Sequence, residues 1–498
     1  MSLSALWFSL ALAAVPNAGP ALEGVVFLDE DADGRLTARD VRLSGVLVSD
    51  GRRIVSTDRD GRFRLPFRSG SKVFLLKPAD RLPLPDAEGR LRLWREADPS
   101  GEPILFPLVE RRDEERLLLF ADPQVGDRRE IGFVRRSLER SLAAEPPACA
   151  RVVLGDLTAD RPELLAELRA VLEDGRVPLL ALPGNHDLEP GSREGEDPYR
   201  SFRAVFGTER YAFRCGRLRV LMLPGLRPRY REGALSGYEP GCSADDLAFA
   251  EAYAAATPAG LPTVIATHLP LDHESGFPAD DRARLLAAFA GSPLALVAGH
   301  WHRQEIRREP EAAVTLFWAL GAVSGSYWTG PPGPDGLPSS WMSDGTPRGY
   351  GVLAWLEEGF RPYYRPAGQP DGPPLHLFLP RVVEQNAYPS ALLSVNLYLG
   401  HAESTVRFRV GEGSWQTMIR QPAVDPVLLP ILVEQDHATS LPAWHRLPEP
   451  RPSTHLWRAP LPTALPEGEH RVEVEAEDGF GSRHRLEGRF RVEARRMP

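Results

Sequence analysis

Five apolar runs in this chain each end in residues able to bind a metal cation. Leu117 to Ala121 leads into Asp122-Pro123-Gln124, and Val152 to Leu154 into Gly155-Asp156. Leu179 to Pro183 leads into Gly184-Asn185-His186-Asp187, Val264 to Thr267 into His268, and Leu296 to Ala298 into Gly299-His300-Trp301-His302. A sixth run, Leu316 to Leu320, ends in Gly321 and carries no ligand. A donor set of imidazole, carboxylate and amide suits Mn, Fe, Zn or Co better than Ca.

Short continuous apolar runs read as buried strands. Ligands at the strand ends then meet at one rim of a sheet, where open α/β sheets place their sites. Each gap between the runs leaves room for a helix or loop.

The ordered set resembles the calcineurin-like metallophosphoesterases, whose pattern runs D-x-H, G-D, G-N-H-[DE], a lone H, then G-H-x-H. Every element is present in order, with Gln124 where His is usual, a start that occurs in one branch of the family. An amide oxygen is a weaker, neutral ligand than imidazole. The resemblance implies two metal ions roughly 3.5–4 Å apart, clamping the attacking and leaving oxygens of a phosphoryl transfer. It implies Asp156 as the bridge between them. Asp122, Gln124 and His302 complete one metal; Asn185, His268 and His300 complete the other. A metal-bridging hydroxide is the implied nucleophile. His186 is implied not as a ligand but as a proton donor to the phosphate or leaving group, oriented by Asp187.

Nearby residues have plainer readings. Asp160-Arg161-Pro162-Glu163 precedes a helical run and reads as an N-cap with its box partner and an early proline. His273 reads as pocket rim or surface, and Glu305 with Arg307 as a solvated strand face.

A length of 498 residues implies more than one domain. The formal charge of −9, with no basic block, argues against a nucleic-acid partner. The apolar stretch from Leu3 to Val15 is too short to span a membrane. With small residues at Ala18 and Ala21, residues 1–21 read as a signal peptide, although no Lys or Arg precedes the apolar core. Export to the periplasm or outside the cell is expected, with a mature start between Leu22 and Gly24. Three cysteines allow at most one pair; Cys215 with Cys242 is the pairing expected if one forms, against buried free thiols.

Residues 22–108 read as a β-sandwich, with strand and turn signals at Gly24 to Phe27, Gly45 to Gly51 and Thr57 to Phe63. They resemble the N-terminal transthyretin-like or Ig-like module of an exported branch of the family. Asp29, Asp31 and Asp33 have the D-x-D-x-D-G spacing of a calcium loop, with Asp40 at its twelfth position. A plain acidic turn fits the same residues.

Residues 371–495 read as a second β-sandwich without helical signal, joined by the Pro-rich linker Pro366 to Pro374. Trp415 to Met418 and His455 to Arg458 resemble the C-terminal domain of the same branch, as do Gly325 to Gly330 and Asp344 to Tyr350. In that long loop Tyr327, Trp328 and Arg348 are candidates for the non-phosphate half of a substrate, or hold the loop to the sheet.

The expected architecture is therefore multidomain: a central α/β metallophosphoesterase β-sandwich with flanking helices at 114–360, between two all-β sandwich domains. The expected activity is metal-dependent hydrolysis of a phosphate ester on a small molecule or cell-envelope substrate. The competing reading is a binding or adhesion protein whose centre is only a scaffold.

Overall fold

The computed structural model describes residues 21–66, 72–97, 102–308, 314–367, 372–440 and 445–494. The expected signal peptide lies outside them except for Ala21, which opens a strand, Ala21–Leu28. Part of the expected Pro-rich linker also lies outside them. No helix among the described residues is long and apolar enough to cross a membrane.

The N-terminal strands form two sheets. One holds Val41–Arg42, Ala21–Leu28, Ile104–Glu110 and Arg81–Pro83, with Arg62–Pro66 also pairing Ala21–Leu28. The other holds Ile54–Ser56, Leu47–Ser49, Lys72–Leu75 and Trp94–Glu96. In Arg62–Pro66 the side chains alternate, Phe63 and Leu65 buried and Arg62 and Arg64 exposed, as a strand with one face on a core requires. A fully buried ion pair, Lys77 with Asp113, joins this part to the centre, and Lys77 Nζ also donates to the carbonyl of Arg214.

The central part is two sheets face to face with helices outside. Strands β1 (Arg116–Phe120), β2 (Ala150–Leu154) and β3 (Leu179–Leu182) run parallel, and an antiparallel hairpin, β12 (Gly349–Leu356) and β13 (Gly359–Pro366), extends their sheet from β1. The facing sheet runs β4 (Tyr211–Cys215), β5 (Leu218–Leu223), β8 (Thr263–Thr267), β9 (Leu294–Ala298), β11 (Val314–Ala319) and β10 (Glu305–Arg308). A separate hairpin, β6 (Leu226–Arg231) and β7 (Ala234–Pro240), leaves the end of β5.

Each apolar run fills two layers because alternate residues face opposite ways. Leu117, Leu119, Val152 and Leu154 meet Val220, Val264, Val297 and Trp318 between the sheets. Leu118, Phe120 and Val153 instead face helices α1 (Arg128–Ala144), α2 (Leu165–Leu172) and α3 (Arg200–Phe206). Leu221, Ile265 and Leu296 face α4 (Ala244–Ala256) and α5 (Ala279–Ala288). Burial on both faces explains why these strands are apolar throughout rather than alternating.

The cysteine expectation is corrected. Cys215 pairs with Cys149, their Cα atoms 5.8 Å apart, and Cys242 is a buried free thiol. Cys149 precedes β2 and Cys215 ends β4, so the stacking of the two sheets brings them together at the end remote from the ligand rim.

The C-terminal strands form two further sheets around a core that includes Leu393, Val395, Phe408, Trp457, Val474 and Phe490. Gly411 to Gly413 turns as expected between Thr405–Val410 and Gln416–Thr417. The all-β expectation is corrected by a nine-residue helix, Leu429–His437, with Pro430 in its first turn and no buried residue. Without a core-facing stripe it carries no helical period to read in the sequence.

Candidate metal centre

The rim formed by the carboxyl ends of five strands gathers the expected ligands. Strand β1 delivers Asp122 and Gln124, β2 delivers Asp156, β3 delivers Asn185, β8 delivers His268, and β9 delivers His300 and His302. The chain must turn sharply as it leaves each strand. Asp122, Gln124, Asp156, His300 and His302 all adopt left-handed backbone, with φ of 49°, 38°, 48°, 73° and 47°. Such conformations cost side-chain-bearing residues about 1–3 kcal/mol each and persist where the surroundings impose them. The rim also leaves no room beside the carboxylates: a Cβ on Gly184 would lie 2.1 Å from Asp156 Oδ1.

The donor atoms converge. Asn185 Oδ1 is 3.0 Å from His268 Nε2, which lies 3.4 Å from Asp156 Oδ1 and 3.2 Å from His300 Nδ1. His302 Nε2 is 3.7 Å from Asp122 Oδ1. The backbone N–H of His300 donates to both oxygens of Asp122, at 3.1 and 3.0 Å, linking the two sheets.

These residues fit metal binding on two counts. His268 Nδ1 is 2.9 Å from the carbonyl of Leu154, and His302 Nδ1 is 2.5 Å from that of Gly325, so each ring donates there and turns Nε2 inward. Backing of this kind typically orients ligating histidines. Gln124 Oε1 is buried without a partner, an arrangement that a cation would relieve. Burial also pushes His300 down to about 3 and His302 to about 4.

Residues 116–304 match the family model described as calcineurin-like phosphoesterase, and residues 318–484 match that of its C-terminal domain. The chain belongs to the calcineurin-like phosphoesterase family. Among solved structures it is similar to a purple acid phosphatase from yellow lupin (Lupinus luteus) seeds, at 12% identity over 70% of this chain and 66% of that one, with a TM-score of 0.36. It is also similar to a 5′-nucleotidase from Candida albicans, at 12% identity over 51% of this chain and 52% of that one, with a TM-score of 0.30. For Vps29 from Chaetomium thermophilum the values are 14%, 50%, 96% and 0.22. The chain thus spans 66% of the lupin protein and 52% of the nucleotidase. No curated protein matches the sequence.

The charged groups at the rim act strongly on one another. Burial opposes a charge on His268, but Asp156 and Asp122 outweigh it and raise the imidazole to about 9. Burial likewise opposes ionisation of Asp156, and His268 overcomes it, holding that carboxyl well below the usual range. Asp122 is pushed upward, by burial first.

The backbone N–H of His186 donates to Asp156 Oδ1 at 2.9 Å, and its ring bonds a partner other than the expected Asp187. The Asp187 carboxylate accepts the backbone N–H groups of Gly184, Leu157 and Thr158 at 2.9, 3.0 and 3.1 Å and takes no bond from the His186 ring. It braces the β2 and β3 turns; burial, then Asp156, raises it to about 7. His186 Nδ1 is instead 3.0 Å from Asp160 Oδ2. Asp160 is therefore not a helix cap: its φ is 56°, and the short turn at Pro162–Leu164 before α2 has no side-chain cap.

The substrate candidates separate. Tyr327 is 50% exposed and lies against His302, with ring centroids 4.3 Å apart. Trp328 is 3% exposed and its Nε1 donates to the carbonyl of Pro123. Arg348 is 4% exposed and paired with Asp335. Trp328 thus fastens the loop at the end of β1, while the Arg348 pair closes within the loop itself; both side chains are taken up by the fold and not turned to a substrate. Sequence reasoning missed Tyr238, on β7, whose hydroxyl lies 3.5 Å from His300 Nε2. Only the return of the β6–β7 hairpin over the rim reveals it. His273 is a surface residue.

In the N-terminal acidic loop, Asp29, Asp31 and Asp40 place carboxylate oxygens within 4.8 Å of one another. Asp33 does not join them; it accepts the backbone N–H of Arg35. Asp29 and Asp40 also accept backbone N–H groups, from Gly34 at 2.7 Å and Thr37 at 2.6 Å, as an acidic turn does without any ion.

Proposed function

We propose that the rim hydrolyses a phosphate ester with two divalent or transition metal ions. The observation that carries the reading is the convergence of Asp122, Gln124, Asp156, Asn185, His268, His300 and His302 at one rim, with His186 beside them and outside the donor cluster. In this reading Asp122, Gln124 and His302 would hold one ion and Asn185, His268 and His300 the other, with Asp156 shared between them. When bound, such a pair would supply Lewis-acid stabilisation of the phosphoryl oxygens and an activated water.

The chain's own residues do the rest. Asp156 contributes the negative charge that offsets repulsion between two close cations. The carbonyls of Leu154 and Gly325 fix the rings of His268 and His302. Asp160 fixes Nδ1 of His186, so that Nε2 of the protonated ring can donate to the oxygen of the departing group as the P–O bond breaks. Tyr327, half-exposed beside His302, contacts the non-phosphate half of the ester.

We also propose that the chain works outside the cytosol. The Cys149–Cys215 disulfide supports this, because such bonds persist in oxidising compartments. Removal of the apolar N-terminus before Leu22 would keep Leu22, the first buried residue of its strand. Mass spectrometry of protein from the native host tests this; an intact Met1 in the cytosolic fraction refutes it.

Turnover of an aryl phosphate monoester and of the matching diester by metal-loaded protein tests the activity. Absence of turnover on either, with two metals bound, would favour the scaffold reading.

A further inference from the structure

Two segments outside the ligand set, Asp344 to Tyr350 and His455 to Arg458, meet in space. Asp344 lies in the long loop between β11 and β12, the loop whose Gly325 carbonyl receives His302 Nδ1. Ser326 ties the two limbs of that loop together, its N–H reaching the carbonyl of Ser340 at 3.1 Å and its hydroxyl that of Trp341 at 2.6 Å. Asp344 Oδ2 then accepts the backbone N–H of Gln304, two residues beyond His302, at 2.8 Å. The same carboxylate therefore anchors both the ligand strand's exit and the loop that backs the ligand.

Asp344 is held in turn by the C-terminal sheets. His455 Nε2 is 3.1 Å from Asp344 Oδ2, and His455 Nδ1 is 2.7 Å from Asn396 Oδ1. Asn396 Nδ2 donates to the carbonyl of Asp344 at 3.0 Å and to Asp425 Oδ2 at 2.6 Å. Asp344, Asn396, His455, Asp425 and Gln304 are each at most 2% exposed. Gly345 packs so closely on Asp425 that a Cβ there would lie 2.4 Å from the Asp425 Cβ. Joining two modules needs only apolar packing. Burying polar groups is costly unless every partner is supplied, and here the partners lead to a metal-ligand loop. The match to the C-terminal family model begins at residue 318, so it takes in this loop together with the sheets that hold it.

We propose that His455 and Asn396 are positioning residues for His302, acting through Asp344, so that the C-terminal sheets form part of the metal centre's support. The inference rests on the metal-centre reading above. Outer partners of this kind typically change metal affinity by about 10–100-fold when removed.

The test uses the full chain, stripped of metal and titrated with Mn²⁺ by calorimetry, with the visible spectrum of the Co²⁺ form as a second readout. His455→Leu should weaken one of the two binding steps by about 10–100-fold and shift the Co²⁺ spectrum, and His455→Gln should recover part of both. Val474→Ala, in the core of the same sheets and outside this network, should lower the melting temperature while leaving both readouts unchanged. If His455→Leu does not fold, Asn396→Ser takes its place with the same expected direction. A folded His455→Leu that binds both cations like the parent overturns the proposal. So does an equal loss of binding in Val474→Ala at matched stability, because the effect then runs through stability alone. A parent chain that takes up no cation overturns the metal-centre reading itself, and this inference with it.

Discussion

His268 Nδ1 lies 2.9 Å from the carbonyl oxygen of Leu154, so a ligand on one sheet is oriented by the last residue of a strand in the other. The rim is therefore a property of the stacked pair of sheets. Losing a ligand at such a rim should disturb metal binding before it disturbs the fold.

Asp156→Asn removes the charge between the two donor groups. Parent protein loaded with Mn or Zn should carry close to two equivalents of metal, and the variant clearly fewer. Elemental analysis of folded, desalted protein checks this; full occupancy in the variant would remove Asp156 from its bridging role.

His186→Asn should keep both metals and lower turnover of an aryl phosphate by roughly 10²–10⁴-fold. Asp160→Asn should also keep the metals and act in the same direction by a smaller factor, since it only orients the ring. Metal loss in either variant would show that the pair belongs to the ligand set.

Replacing Cys149 and Cys215 by Ser should cost about 2–4 kcal/mol, read as a lower urea midpoint. In the native parent no thiol should react with an alkylating reagent, because burial hides Cys242 and pushes its thiol upward. One thiol should react after denaturation. Two further thiols released without reductant would contradict the pairing.

Lys77→Met should destabilise the chain by about 3–5 kcal/mol, because it leaves the fully buried Asp113 carboxylate without its partner. Burial pushes Lys77 down and Asp113 up, so each group depends on the other for its charge. The double variant Lys77→Met, Asp113→Leu should recover most of the loss in chemical denaturation. A single variant as stable as the parent would show that the pair contributes nothing.

If Asp29, Asp31 and Asp40 take a calcium ion, millimolar Ca²⁺ should raise the melting temperature of the full chain by mass action, and Asp31→Ala should remove the gain. Turnover should not change. An unchanged melting temperature in the parent leaves the plain acidic turn as the account of this loop.

The candidate ligands were legible in the sequence because they follow runs buried on both faces, which declare themselves without tertiary information, and because their order resembles a known family pattern. Asp160 was not. Asp-Arg-Pro-Glu fits a helix cap equally well, and the left-handed backbone that turns the carboxylate toward His186 leaves no mark on residue type. Cys149 and Cys215 meet only because β2 and β4 lie in facing sheets, a relation that local spacing does not contain. Tyr327 and Trp328 are neighbours of like chemistry, and only the path of the loop decides which ring packs beneath Pro123 and which stays at the rim.

The two sheets of the central sandwich are fastened at opposite ends, by the Cys149–Cys215 bond at one and by Asp122, His300 and the metal donors at the other. The apolar layer between them holds the sheets along their length, so these end ties act as separate reinforcements of one interface. Reduction alone should lower the stability of this region, and a chelator should lower it further in metal-loaded protein.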